Sequence, residues 1–193
     1  TATGGVVCWG YNNYGQLGDG TNTNRAYPVA VSGITSGAVK IATHLWHSCA
    51  VFSSGTVKCW GRNDWGELGN NTTSTSYVPV TVSGITNAVD ITVTGYSSCA
   101  ILATGAVKCW GGNVDGQLGD GTTTGTATPV NVSGLTGATT VSSGGRFSCA
   151  VIAGGTVRCW GWNYYGQLGI GNKLDQAVPV RIINVNPSGD LST

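Results

Sequence analysis

The string Cys-Trp-Gly recurs at Cys8, Cys59, Cys109 and Cys159, in steps of 51, 50 and 50 residues. Each copy continues in register as W-G-x-N-x-x-G-x-L-G, over Trp9 to Gly18, Trp60 to Gly69, Trp110 to Gly119 and Trp160 to Gly169. A Pro-Val pair then follows at Pro28, Pro79, Pro129 and Pro179, and three copies add Ser-Cys-Ala at Ser48, Ser98 and Ser148. Self-similarity at a fixed period of this size is the signature of a repeat architecture. The 193 residues therefore read as one array, with units of about 1–51, 52–101, 102–151 and 152–193.

Within a unit the pattern is all β. Cys49-Ala-Val-Phe52 and Thr56-Val-Lys-Cys59 flank Ser53-Ser54-Gly55, a hairpin loop with glycine where φ must be positive. Pro79 to Val82 and Val89 to Val93 supply two further runs separated by turn residues. Four short antiparallel strands per unit predict β-propeller blades, with the terminal blade incomplete. Gly10, Gly15, Gly18 and Asn12 recur in every copy as loop mechanics, and Leu17, Leu68, Leu118 and Leu168 should plug the core beneath. A phosphate-cradling loop is excluded, since neither the Lys-Ser/Thr pair nor a helix follows.

The ten-residue string, the Gly-Asp-Gly-Thr that follows it in the first and third copies, and the Ser-Cys-Ala-Val strand resemble the regulator of chromosome condensation repeat. The likeness covers nearly the whole chain, and the cysteines suit a bacterial, extracellular type of the repeat. It implies a propeller, commonly seven-bladed, with four strands per blade and the ring closed by a blade assembled from both ends of the array.

Cys49 and Cys59 lie ten residues apart, symmetric about Ser54, as do Cys99 and Cys109, and Cys149 and Cys159. Residues directly opposite on antiparallel strands are close enough to bridge, so three cross-strand disulfides are expected. Such pairs imply an oxidising, extracellular or cell-surface home. Cys8 is left over, because its partner would stand ten residues before it; it is expected to be unpaired or to pair with another chain. By alignment, Thr1 matches Leu102 and Thr193 matches Ser143, so the four units lack one strand. Either the segment belongs to a longer array, or copies of the chain complete one another in a ring or a head-to-tail fibre.

Composition narrows the function. Nine Lys and Arg against eight Asp and Glu give a net charge of +1 without a basic block, so no nucleic-acid partner is expected. No stretch approaches the roughly 18 apolar residues that span a bilayer, and no helical membrane insertion is expected. No charged-then-apolar leader stands at Thr1, and without methionine the sequence expects Thr1 not to be a translation start. His44 and His47 lack a third ligand of suitable spacing, and Asn113, Asp115 and Asp120 resemble a calcium loop without its terminal glutamate. No nucleophile elbow is present. The expectation is a non-enzyme without metal or cofactor.

What varies inside the repeated loop is more informative: Tyr11, Tyr14, Arg62, Trp65, Trp162, Tyr164 and Tyr165 are residue types that anchor protein interfaces. The same rings also stack on sugars, which admits carbohydrate as a ligand. Asn70, Asn71 and Asn131 head glycosylation sequons. The sequence thus expects an extracellular structural or self-assembling subunit, or an interaction module of a larger surface protein. The family resemblance adds two alternatives: inhibition of a secreted enzyme, as a related propeller inhibits a β-lactamase, and nucleotide exchange on a small GTPase.

Overall fold

A computed structural model describes residues 1–185 and 191–192. Strands β1 (Val7–Gly10) and β2 (Arg25–Ala30) form a two-stranded antiparallel sheet. Three four-stranded antiparallel sheets follow. The first holds β3 (Ala38–Thr43), β4 (His47–Phe52), β5 (Val57–Gly61) and β6 (Ser76–Thr81). The second holds β7 (Ala88–Val93), β8 (Ser97–Leu102), β9 (Val107–Gly111) and β10 (Thr126–Asn131). The third holds β11 (Ala138–Ser143), β12 (Phe147–Ile152), β13 (Val157–Gly161) and β14 (Gln176–Arg181). A short pair, β15 (Asn184–Val185) and β16 (Leu191–Ser192), ends the described chain.

These are propeller blades. Strand β7 packs against both β3 and β11, so the first strands of successive sheets lie side by side, with β6, β10 and β14 at the opposite edges. Each full sheet takes its first two strands from before a Cys-Trp-Gly string and its last two from within and after it. The hairpin between β4 and β5 closes as its spacing requires: Gly55 has φ 81° and its amide donates to the Phe52 carbonyl at 2.8 Å. Cys49 then stands opposite Cys59.

The blades at the ends are incomplete, as the sequence reading expects, and only the far end departs from repeat register. The first sheet has two strands, two fewer than its neighbours. At the other end, repeat register puts a lone first strand over 188–193, yet Leu191–Ser192 pairs with Asn184–Val185. A strand with no second strand beside it takes the nearest backbone that offers hydrogen bonds.

Adjacent sheets bury one apolar layer per junction. Between the first hairpin and the first full sheet lie Cys8, Leu17, Val31, Ile34, Ala50 and Trp60. The next junction repeats this with the Cys49–Cys59 pair, Leu68, Val82, Ile85 and Trp110, and the third with the Cys99–Cys109 pair, Leu118, Val132, Leu135 and Trp160. In each case the tryptophan comes from the following sheet. A buried indole removes about 150–250 Å² from water, on the order of 4–6 kcal/mol before the entropy of ordering it.

One joint recurs at all three junctions. Trp60 Nε1 donates to the Gln16 carbonyl at 2.9 Å, Trp110 Nε1 to the Glu67 carbonyl at 2.8 Å, and Trp160 Nε1 to the Gln117 carbonyl at 3.0 Å. The indole packs against a glycine: a Cβ on Gly18 would sit 2.8 Å from the Trp60 ring. A backbone bond from the preceding blade completes the joint, with Gly20, Asn71 and Gly121 donating to the carbonyls of Tyr77, Ala127 and Ala177 at 2.9–3.0 Å.

Candidate interaction surface

The repeated loop is held by its asparagine. Asn113 is fully buried; its Oδ1 accepts from the Leu118 amide at 2.9 Å, while Nδ2 donates to the carbonyls of Thr122 and Thr124 at 3.0 and 3.2 Å. Asn12, Asn63 and Asn163 make the same bond to Leu17, Leu68 and Leu168 at 2.8–2.9 Å. With the loop fixed from within, the position before the asparagine and the two after it vary between copies, and Tyr11, Trp65, Val114, Tyr164 and Tyr165 are exposed there as a rim.

A second loop meets this rim. Gly61 approaches the chain so closely that a Cβ there would lie 2.6 Å from the Trp46 carbonyl, and the Arg62 amide donates to that carbonyl at 2.9 Å. The same bond joins Gly112 to Tyr96 and Trp162 to Arg146 at 2.8 and 3.0 Å. Trp46, Tyr96 and Arg146 thereby enter the surface, although the sequence reading passed over them. The signal was available: each is a large side chain two residues before the serine of the Ser-Cys-Ala position.

Together these side chains form a ladder across successive blades. The Tyr11 and Tyr14 rings meet the Trp46 indole edge-on, with centroids 6.4 and 5.3 Å away. Arg62 then sits between two rings, 5.9 Å from Tyr14 and 5.6 Å from Tyr96. Arg146 lies 5.7 Å from the same Tyr96 ring and pairs with Asp115 at 2.8 Å. Trp65 joins Tyr96 and Arg146 around a small cavity of about 160 Å³. Beyond it Trp162, Tyr164 and Tyr165 pack on one another, with Tyr164 62% and Tyr165 73% exposed. All seven predicted residues thus lie on the rim, in a ladder of four and a terminal cluster of three. Each ladder arginine has an acidic partner, Asp64 at 2.7 Å from Arg62 and Asp115 from Arg146, so the rim is close to neutral.

Beside the first hairpin, where the other sheets carry two more strands, lies an open cleft of about 820 Å³ lined by Cys8, Trp9, Tyr11, Ile41, His44 and Trp46 among others. Cys8 is unpaired and buried, and burial pushes its thiol up to about 11. The six remaining cysteines form disulfides Cys49–Cys59, Cys99–Cys109 and Cys149–Cys159, with Cα atoms 4.0–4.1 Å apart.

His47 is a core residue. Its Nε2 lies 2.8 Å from Ser98 Oγ, and burial lowers its pKa to about 3, keeping the ring neutral. His44 is lowered too, by burial. Asp120 binds the Thr122 amide and hydroxyl at 2.9 Å, and Asp115 is taken by Arg146. Among the described residues, no three His, Cys, Asp or Glu side chains gather as a metal site. Asn71 and Asn131 are exposed, whereas the Asn70 Oδ1 accepts from the Thr72 hydroxyl at 2.8 Å.

The profile of the Regulator of chromosome condensation (RCC1) repeat matches residues 3–51, 54–101, 104–151 and 154–188, and a second profile of the same repeat matches 39–66, 88–117 and 138–167. The chain belongs to the regulator of chromosome condensation repeat family. Human E3 ubiquitin-protein ligase HERC2 is 37% identical over 86 residues, which are 44% of this chain and 2% of that protein. Human probable E3 ubiquitin-protein ligase HERC4 is 38% identical over 76 residues, 38% of this chain and 7% of that protein. The array thus spans a small part of these relatives, whose named activity belongs to much longer chains. Human WBSCR16 superposes with a TM-score of 0.86 at 27% identity, covering 96% of this chain and 50% of the other. Saccharomyces cerevisiae Prp20p superposes at 0.82 with 21% identity, covering 93% and 46%. As an RCC1-repeat propeller, the chain is a scaffold whose repeated interior leaves the rim free to differ between blades.

Proposed function

We propose that the chain is a non-catalytic, extracellular RCC1-repeat module that binds a protein partner through its rim, as a structural or self-assembling subunit or as one module of a larger surface protein. The observation that carries this is the ladder from Trp46 through Tyr14, Arg62 and Tyr96 to Arg146. Rigid aromatic and arginine side chains, already ordered by one another, lose little entropy on binding and are the types that dominate interface energetics. The near-neutral rim favours a protein over a polyphosphate. Three cross-strand disulfides support an oxidising location, where Asn71 and Asn131 would be accessible to glycosylation. Inhibition of a secreted enzyme is a special case of the same binding. Nucleotide exchange has only the family likeness behind it.

The test uses the purified chain, labelled away from the rim, on intact cells and on their secreted fraction. Trp46→Ala with Arg62→Ala should reduce retention about thirtyfold, as expected for removal of interface anchors. Retention equal to that of the unaltered chain would overturn the assignment. A second reading is favoured by the cleft beside the first hairpin, whose wall includes Trp9, Tyr11 and Trp46. Aromatic walls of this kind bind sugar faces. Quenching of tryptophan fluorescence by an oligosaccharide series, lost in Trp46→Ala, would support it.

A further inference from the structure

The ladder of the rim is broken at one rung. The position before the loop asparagine carries Tyr11, Arg62 and Trp162 in three copies and Gly112 in the other. Arg62 shows where that side chain goes, with its guanidinium between the Tyr14 and Tyr96 rings. Repeat register puts Trp65 and Arg146 in those two places for Gly112. With no side chain at Gly112 the place stands open, and it is the cavity of about 160 Å³ walled by Trp65, Tyr96, Gly112, Val114, Gln117 and Arg146. All six stand on the three four-stranded blades, so the walls owe nothing to either end of the array. Nor does the backbone call for glycine here. Gly112 lies outside the left-handed region, and a Cβ would come no nearer than 3.3 Å to Tyr96, a contact that a small shift relieves. What the glycine does is open a socket.

Two hydrogen-bond donors line that socket without an acceptor. Gln117 is 1% exposed, and its Oε1 accepts the Asp115 amide at 2.8 Å. In the first blade the matching Gln16 Nε2 donates to the Leu45 carbonyl at 2.9 Å. Register gives Gln117 the Gly145 carbonyl, which accepts the Gly95 amide at 3.2 Å instead, and Gln117 Nε2 has no bond among the described residues. Arg146 Nε is buried and, although 2.8 Å from Asp115 Oδ2, is not aligned to donate to it. Buried donors without acceptors are costly, so an occupant that brings an oxygen is favoured.

The remaining walls select the rest of the occupant. A dry cavity of about 150 Å³ accepts a benzene ring, so the space is that of one six-membered ring. The Trp65 and Tyr96 rings suit offset or edge contact with another ring, and the Arg146 guanidinium suits the negative face of its π system. An ammonium would meet Arg146 and both donors. A carboxylate would meet Asp115, which already neutralises Arg146. A phenol meets neither obstacle and supplies ring and oxygen together.

We propose that the socket at Gly112 receives a tyrosine side chain of the protein partner, its ring between Trp65 and Arg146 and its hydroxyl oxygen meeting the free donors. This rests on the rim as a protein-binding surface and names the anchor that the surface takes.

The test follows the Trp65 indole N–H by ¹H–¹⁵N nuclear magnetic resonance in the 193-residue chain, titrated with p-cresol, toluene and propionate, the side chains of tyrosine, phenylalanine and glutamate. p-Cresol should shift the resonance saturably, with an affinity about fivefold above that of toluene for one added hydrogen bond, and propionate should leave it in place. Gly112→Trp and Gly112→Arg fill the socket with side chains that other copies carry at this position, and each should weaken p-cresol about tenfold or more. Circular dichroism and thermal unfolding identify whichever variant is folded. No shift with p-cresol, equal affinity for toluene, a stronger response to propionate, or undiminished binding in a folded Gly112 variant would each overturn the proposal. Retention on cells and on their secreted fraction separates the socket from the ladder. Retention lowered about tenfold by Gly112→Trp supports the socket whether or not Trp46→Ala with Arg62→Ala has an effect. Retention lowered only by that pair overturns the socket and leaves the rim standing.

Discussion

Replacing Glu67 by glutamine should stabilise the protein, and should do so increasingly as pH rises. Glu67 holds the position of Gln16, Gln117 and Gln167 in the repeated loop, fully buried. One carboxylate oxygen does what the glutamine oxygens do, accepting the Trp65 amide at 2.8 Å, as Gln16 and Gln117 accept those of Tyr14 and Asp115 at 3.0 and 2.8 Å. The other oxygen, Oε1, is buried without a partner among the described residues. In the first blade the corresponding atom is Gln16 Nε2, which donates to the Leu45 carbonyl at 2.9 Å. Register puts Gly95 in the place of Leu45, so a glutamine at 67 brings a donor where the carboxylate offers only a lone pair. Leaving a buried polar atom unpaired costs about 1–3 kcal/mol. Each kcal/mol moves the unfolding midpoint of a chain this size by roughly 2–4 °C. Burial raises the Glu67 pKa above the ordinary 4.5, so the native state keeps its proton at pH values where the unfolded chain has released it. The unfolded state then binds fewer protons, and stability falls as pH rises from about 4.5 through the native pKa. Glutamine does not titrate. Urea unfolding at pH 4 should show a small difference between Glu67→Gln and the parent, and at pH 8 the full gain. A gain independent of pH, or a loss at pH 8, would refute the reasoning.

Three further outcomes follow from the same structure. Trp110→Phe should cost about 2 kcal/mol by denaturant unfolding, since it removes the bond to Glu67 and part of the buried indole while Ser98 Oγ still satisfies that carbonyl at 3.0 Å. Asn113→Ala should cost more, about 3 kcal/mol, because the Leu118 amide and the Thr122 and Thr124 carbonyls lose their partner together; an effect below 1 kcal/mol would mean water replaces the side chain. Cys8, with its thiol at about 11, should resist iodoacetamide at pH 8 in the native chain and react promptly in denaturant, as peptide mass spectrometry would record.

Much of this was legible in the residues because the repeat supplies its own alignment. The ten-residue spacing of Cys49 and Cys59 about a three-residue loop leaves one register for the hairpin, and the observed pairing Val51 to Val57 is that register. The four-strand blade followed from the same periodicity. What escaped was the partner of each exposed position. Tyr14 meets Trp46 from 32 residues away, through a loop whose approach is set by Gly61, and no local pattern announces that Arg62 will lie between rings from two blades. The pairing of Leu191–Ser192 with Asn184–Val185 escaped as well, since counting residues per unit says how many strands the array holds but not which partner each takes.

The division between repeated and variable residues has a common cause in how the blades are fastened. Every blade junction is closed by bonds to main-chain carbonyls, those of Gln16, Glu67 and Gln117, and by glycines over which an indole or a neighbouring strand can lie. Fastenings of this kind do not depend on the side chains at the rim, so Tyr11, Arg62, Gly112 and Trp162 occupy one structural position without altering the frame. Two of the disulfides act to the same end, since Cys49–Cys59 and Cys99–Cys109 each staple the hairpin whose buried face receives the next blade's tryptophan. Cys8 takes that place at the first junction as a single buried thiol, so there the hairpin is held by packing and its backbone bonds without a covalent staple. The first junction should therefore open before the others, and hydrogen exchange at Val31, whose amide bonds to the Val6 carbonyl at 3.0 Å, should be faster than at Val82 and Val132, which make the same bond to Val57 and Val107. Equal protection at the three positions would mean that the disulfides at the second and third junctions add nothing to their cohesion.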